Sequence, residues 1–304
     1  MEQKSMTALI SAFARAYHTE NNDVKIFNDS IVRLLLTDME FNQISKSMTD
    51  GIGFFNPSFV GTLTEALKWI VDNQLSPSPL GRAVFAETSL KNAVQIGATQ
   101  YLVLGAGYDT FAYRQPDWAN KLQIFEVDHP STAKDKELRL ESAQIEVKDN
   151  THYIAADFTK KEWHSDLIQN TAFSKDKISF CSVLGVSYYL SQQIFENLIF
   201  TLGSILPEGS SLVFDYPDEY SYSDKAGERA QKQAMLAGGA NEKMLACYSY
   251  EKIEKLLADS GFLIYEHLTP AQITAQYFEE YNLANPLHPI AAFDNVNYCL
   301  AVKK

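Results

Sequence analysis

Basic residues, cysteine and long apolar runs are all scarce in this chain. Of 304 residues, 26 are Lys or Arg against 38 Asp or Glu, a formal net charge of −12. Such a balance repels phosphate backbones and anionic headgroups, so no nucleic-acid partner and no membrane-surface partner is expected. The three cysteines, Cys181, Cys247 and Cys299, lie far apart. They form neither C-x-x-C nor His/Cys ligand spacing, so no metal is expected. A sparse, odd cysteine set suits a reducing cytoplasm rather than a disulfide framework. No apolar run approaches the ~18 residues of a membrane span. The first residues lack the charged, apolar and cleavage regions of a signal peptide. There is no internal repeat and no low-complexity tract.

What is present is an apolar content of 46%, enough for one sizeable core. Runs at 100–105, 122–128, 152–157, 178–184 and 211–216 are apolar or β-branched, and helical patterns lie at 131–145, 191–205 and 249–259. That alternation predicts an α/β fold, a parallel sheet with helices on both faces. Late strands follow at 264–268 and 296–302. Cys181 and Cys299 fall inside strand-like runs and read as core residues.

Before the sheet, residues 5–45 read as mostly helical. Leu9, Ile10, Phe13 and Ala14, then Ile31, Leu34 and Leu35, recur at helical spacing. Asp29 or Ser30 can cap the second helix. The pattern breaks at 54–58 and resumes over 62–73. Ser76-Pro77-Ser78-Pro79 reads as a rigid connector, because proline fixes φ and restricts the residue before it. A helix over 82–96 then enters the sheet. The chain thus reads as one domain over 1–304, a helical cap at 1–90 and a sheet core at 91–304. An insertion at 217–248 is polar and carries Gly238-Gly239. It is either a surface excursion with one amphipathic helix or a lid over the ligand end of the sheet.

The most telling stretch is residues 99–128. An apolar run, Tyr101 to Leu104, leads into Gly105-Ala106-Gly107, and a second run from Leu122 ends on Glu126 and Asp128. This is a strand, a tight glycine turn, a crossover and a strand tipped with carboxylates. Such a unit sets a nucleoside over the sheet with an acid for its ribose hydroxyls. Glu126, ~20 residues beyond Gly105, stands at the usual offset for that acid. The dinucleotide pattern is incomplete, because Thr110 occupies the place of the third glycine and Asp109 precedes it. Pyrophosphate prefers bare N–H groups at a helix N-terminus. A cofactor with a cationic centre and no phosphate, such as S-adenosylmethionine, suits the acidic turn better.

LGAGYDTFAYR followed by FEVDHP resembles the leucine carboxyl methyltransferase-like family of S-adenosylmethionine-dependent methyltransferases, and the resemblance extends over nearly the whole chain. It implies a class I, Rossmann-like methyltransferase sheet whose last strand is antiparallel and inserted between the fifth and sixth. It implies S-adenosyl-L-methionine as cofactor and S-adenosyl-L-homocysteine as product. SPLGRAVFAE (78–87) is similar to the segment whose arginine, here Arg82, is implied to pair with the cofactor's carboxylate. TALISAFARAYHTE is similar to the helical start, where Arg15 is the candidate basic residue. Ala156-Asp157-Phe158 matches the place where the family holds adenine. Leu184-Gly185-Val186-Ser187-Tyr188-Tyr189-Leu190 resembles the motif after the fourth strand, with Leu184 and Gly185 bordering the methionine moiety. Many relatives carry a glutamate where this chain has Leu184. That departure points away from protein phosphatases and toward the bacterial branch that methylates oxygen on small, polyketide-like metabolites.

Methyl transfer from a sulfonium is an in-line displacement with a neutral leaving group, so orientation and exclusion of water are the main requirements. A carboxylate acceptor is already ionised at neutral pH, whereas a phenol or alcohol benefits from a base. None of His18, His129, His152, His164, His267 and His288 stands in a motif that marks it as one, so the catalytic residue is left unassigned. His129, after Asp128, reads as shaping the turn. Tyr188 and Tyr189, and Tyr17 from the N-terminal helices, are candidates for the pocket of a small-molecule acceptor. Two other readings are an NAD(P)-dependent oxidoreductase on a related sheet and a cofactor-binding relative without turnover. The oligomeric state is not legible.

Overall fold

The computed structural model describes residues 5–239, 244 and 246–304. From the N-terminus come α1 (Met6–Asn21), a 3-10 turn (Val32–Leu35), α2 (Asp38–Asp50), α3 (Ile52–Phe55), α4 (Leu63–Ile70), a π turn (Val71–Leu75) and α5 (Pro77–Gln95). The chain then runs through β1 (Gln100–Leu104), α6 (Phe111–Arg114), β2 (Gln123–Asp128), α7 (Pro130–Ser142), β3 (Thr151–Ala155), α8 (Ser165–Gln169), β4 (Ser179–Val183), α9 (Gln192–Ile205) and β5 (Ser211–Pro217). It ends with α10 (Glu228–Gly239), α11 (Tyr250–Asp259), β6 (Phe262–Leu268), α12 (Pro270–Ile273), α13 (Glu279–Ala284) and β7 (Val296–Lys303).

The strands form one seven-stranded sheet in the order β3-β2-β1-β4-β5-β7-β6. β1 to β5 are parallel, and β7 runs antiparallel to both β5 and β6. The period-two alternation of β1 divides its side chains between two cores. Tyr101 and Val103 join the core under α1 and α5, while Leu102 and Leu104 join the one under α9 and α11. Cys181 and Cys299 are fully buried in the second core, where burial pushes both thiols up. From β1 the chain winds outward to β2 and β3, then returns to lay β4 on the other side of β1. The strand order reverses between β1 and β4, which leaves a crevice beyond their carboxyl ends. Among the described residues, no helix is long and apolar enough to cross a membrane.

Residues 5–45 are mostly helical, in α1, the 3-10 turn and the first part of α2. The helical cap departs from the expected pattern in two places. Asp29 does accept from the Val32 N–H at 3.1 Å, but α2 is capped by Thr37 through a reciprocal capping box with Glu40. Ser76–Pro79 is no connector. Pro77 opens α5, where the first-turn N–H groups have no intrahelical acceptor, so proline removes nothing and its fixed φ suits the helix.

His18 on α1 is fully buried, and its Nε2 accepts from the Ile26 N–H at 3.0 Å. Burial first, then Lys68 and Lys25, pulls its pKa down to about 4. The unfolded chain takes up this proton near pH 6.5, the folded protein only near pH 4, so stability falls as pH drops through that window. The loss is about 3 kcal/mol at most. Chemical denaturation of wild type and His18→Gln from pH 7 to 4 is expected to give a shallower decline for the variant; parallel curves would remove this role.

Candidate active site

A large cavity opens over the carboxyl ends of β1 and β4, with a volume of about 950 Å³. Its floor is the turn after β1. Gly105 and Gly107 both have positive φ, +76° and +48°, a region that L side chains rarely adopt. Gly105 is further constrained from the side, because a Cβ there would stand 2.3 Å from Val186 Cγ2. Two crossing loops, after β1 and after β4, therefore meet with no room between them. The Gly105 N–H donates to Val127 O at 2.7 Å, which ties the turn to β2.

The acidic side of the cavity is built from strand ends. Asp128, the last residue of β2, lines the cavity, and its carboxylate accepts from the Gly107 N–H at 2.5 Å and the His129 N–H at 2.6 Å. Burial raises its pKa, and the two amides pull it back. Asp109 and Asp157 also line the cavity. Asp109 caps the Phe111 N–H at 2.8 Å, and Asp157 accepts from the Thr159 hydroxyl at 2.6 Å, which lowers its pKa. Phe158 sits beside it, edge-on to Trp163 at 5.2 Å. His129 lines the same side and caps α7 through Ser131, as its place after Asp128 suggested.

Glu126 does not face the cavity. It shares a face of β2 with Asp128 but lies one residue pair deeper, where Lys136 from α7 reaches it at 2.7 Å and the Tyr113 hydroxyl donates to it at 2.9 Å. Glu126 is 3% exposed and Lys136 2%. Burial raises the Glu126 pKa and Lys136 opposes it. The expectation that Glu126 faces the cofactor cavity is therefore corrected: it is buried against Lys136, and the carboxylate of β2 that lines the cavity is Asp128.

The basic side is built by α1 and α5. Arg82 lines the cavity, with Nη2 donating to Ser11 Oγ at 3.2 Å and Nη1 3.6 Å from Asp215 Oδ2. Gly185, with φ +67°, makes room for it, since a Cβ there would lie 2.4 Å from Arg82 Nη1. Arg15 also lines the cavity, but its guanidinium is committed to Asp29 at 2.5 Å and to Tyr108 O at 2.7 Å. It acts as a strut between α1 and the glycine turn. Leu184, Gly185, Tyr188 and Tyr189 line the cavity. Tyr17 does not: it packs on Phe13 in the cap core, with ring centroids 6.2 Å apart.

Sequence reasoning missed Asp215, at the end of β5 and fully buried. Its carboxylate accepts from the Gly185 N–H and from the Tyr188 hydroxyl, each at 2.6 Å. A lone acid inside the apolar run SLVFDYP was the available signal. The inserted segment contributes Gln233, Leu236, Ala237 and Met244 to the wall. Arg229 anchors α10 to Ala292 O at 2.5 Å, and Lys232 to Phe55 O at 2.8 Å.

The sequence model of the family described as leucine carboxyl methyltransferase matches residues 8–203. The chain belongs to the leucine carboxyl methyltransferase family. It is 42% identical over 307 residues to a Bacillus subtilis protein named "Putative S-adenosyl-L-methionine-dependent methyltransferase YktD", with 99% of each chain covered. A similarly named protein of Mycobacterium tuberculosis, Rv3399, is 26% identical over 69% of this chain, and the match spans only 57% of that protein's length. Among solved structures, a "putative methyltransferase" of Thermobifida fusca YX aligns with TM-score 0.55 at 17% identity, over 99% of this chain and 96% of its own. A DUF574-family protein of Streptomyces avermitilis aligns with TM-score 0.55 at 14% identity, over 97% of both. The fold is the class I, Rossmann-like methyltransferase fold, and the protein is an S-adenosyl-L-methionine-dependent methyltransferase. The methyltransferase cavity fits that cofactor: a glycine floor too tight for side chains, a carboxylate at the β2 end and a guanidinium across from it.

Asp128→Asn is expected to weaken S-adenosylhomocysteine binding about 10- to 100-fold, the worth of charge-assisted hydrogen bonds. Glu126→Gln leaves Lys136 buried against a neutral group and is expected to cost about 3–5 kcal/mol of stability instead. Calorimetry and thermal melting on both variants check the assignment; equal affinity loss in the two would undo it.

Proposed function

We propose that the protein methylates an oxygen, and specifically a carboxylate, on a small and largely apolar organic acceptor. The observation that carries this is the lining of the cavity. Ile10, Met48, Leu75, Pro79, Leu236 and Met244 contribute apolar wall to it. Among the described lining residues there is no lysine, and the one histidine caps α7 beside Asp128. Tyr188 donates its proton to Asp215, and burial with that neighbour pushes its pKa well up, so it is a poor base. An apolar wall with neither lysine nor histidine suits an acceptor that is ionised on its own, as a carboxylate with a pKa near ~4 is.

S-adenosylmethionine supplies the electrophilic methyl group. In our reading Asp128 accepts from the ribose hydroxyls and Arg82 binds the amino-acid carboxylate, with Asp215 and Ser11 holding the guanidinium in place. Asp157 and Phe158 take the adenine edge and face. Gly105, Ala106 and Gly107 let the backbone approach closely, and Leu184 and Gly185 border the methionine chain. Asp109 faces the same side, where a negative charge favours a sulfonium over a phosphate. Within the 217–248 insertion, helix α10 acts as a lid that excludes water from the acceptor.

Mass spectrometry of reactions with matched aliphatic acids, phenols and alcohols is expected to find methyl esters. For an acid, kcat/KM is expected to stay flat from pH 6 to 9, because the acceptor is ionised throughout. A rate rising toward the phenol pKa near ~10, with ethers as product, would contradict the carboxylate reading.

A further inference from the structure

A second cavity, of about 340 Å³, lies between α1 and α2. It is more than ten times the ~30 Å³ share of one water. Leu9 and Ile10 line it from α1, and Ile44 and Met48 from α2. Ser5, Ile10 and Met48 also line the main cavity, so the two spaces share a wall. Ile10 and Met48 are among the apolar residues that line the main cavity. One charged residue, Glu40, stands among the residues lining the groove. Its carboxylate is held by both Arg139 Nη groups, at 2.7 and 2.8 Å, and by the Thr37 N–H. That pairing, chiefly the Arg139 hydrogen bonds, lowers its pKa to about 2. The charge is therefore compensated, and Met6, Leu9, Ile10, Ile44 and Met48 give the groove its apolar lining.

The geometry points to an acceptor with an aliphatic tail: the methylated end sits in the main cavity beside the cofactor, and an unbranched alkyl chain runs past Ile10 and Met48 into the groove between α1 and α2. Continuity of the walls sets the path, and the lining chemistry sets the occupant. Methionine adapts to a chain of variable shape better than branched residues do. Gln43 and Ser47 form an exposed polar rim where such a tail ends. This rests on the apolar acceptor proposed above and extends it to an amphiphile.

The test uses the full chain saturated with S-adenosylhomocysteine and two probe series, n-alkyl carboxylates and 4-n-alkylphenols of four to ten chain carbons. Calorimetry is expected to show affinity rising roughly two- to fourfold per methylene. Ser47→Trp and Gln43→Trp each place an indole at the exposed rim of the groove. Both are expected to melt and to bind S-adenosylhomocysteine as wild type does, while the chain-length dependence flattens. Affinity independent of chain length in wild type, or dependence unchanged in both variants, would overturn the tail site. If affinity rises with length and flattens in the variants but no probe is methylated once S-adenosylmethionine replaces S-adenosylhomocysteine, the groove stands and the acceptor chemistry proposed above falls.

Discussion

The site depends on one steric constraint, the contact between Gly105 and Val186. The turn after β1 and the loop after β4 approach until a single Cβ would overlap a valine methyl. Dispersion and hydrophobic contact favour so close a meeting, and only glycine permits it. Because the strand order reverses at this pair, the two loops diverge beyond the contact and leave the cavity between them. The Gly107 N–H then reaches the Asp128 carboxylate, so the same turn fixes the acid at the end of the neighbouring strand. Floor and acid are one mechanical unit.

The opposite wall is organised around Asp215. Its two oxygens bind the Gly185 amide and the Tyr188 hydroxyl, and Arg82 stands close to it. A buried guanidinium with no counter-charge would be costly, and a guanidinium fully paired with Asp215 would have nothing left to offer a ligand. A separation of 3.6 Å lies between these extremes. Arg15 shows the other outcome, with its guanidinium spent on Asp29 and a backbone carbonyl. Of the two arginines on α1 and α5, one is thus spent on bracing and the other stands in the cavity wall with its guanidinium only partly committed.

Much of this architecture was legible because apolar runs and glycines report backbone constraints directly. The strands after residue 99, the turn at 105–107 and the core cysteines follow from the local sequence, as does Asp128 as one of two candidate acids. The choice between Glu126 and Asp128 does not. Both lie on one face of β2 within the tolerance of an offset rule, and they are separated only by Lys136, which arrives from α7 to occupy the deeper one. Family resemblance, rather than periodicity, supplied Arg82 and the antiparallel β7. Proline in the first turn of α5 misled because the same residue is compatible with a stiff linker and with a helix start. Tyr17 misled because an amphipathic ring is equally at home in a core. Asp215 was visible only as an acid out of place in an apolar strand.

A crystal structure of the complex with S-adenosylhomocysteine tests the central claim most directly. The account predicts both ribose hydroxyls within hydrogen-bond reach of Asp128, the homocysteine carboxylate on Arg82, and Glu126 still paired with Lys136. Ribose bound to Glu126 with the Lys136 pair broken, or a nucleoside seated away from the turn at 105–107, would contradict it.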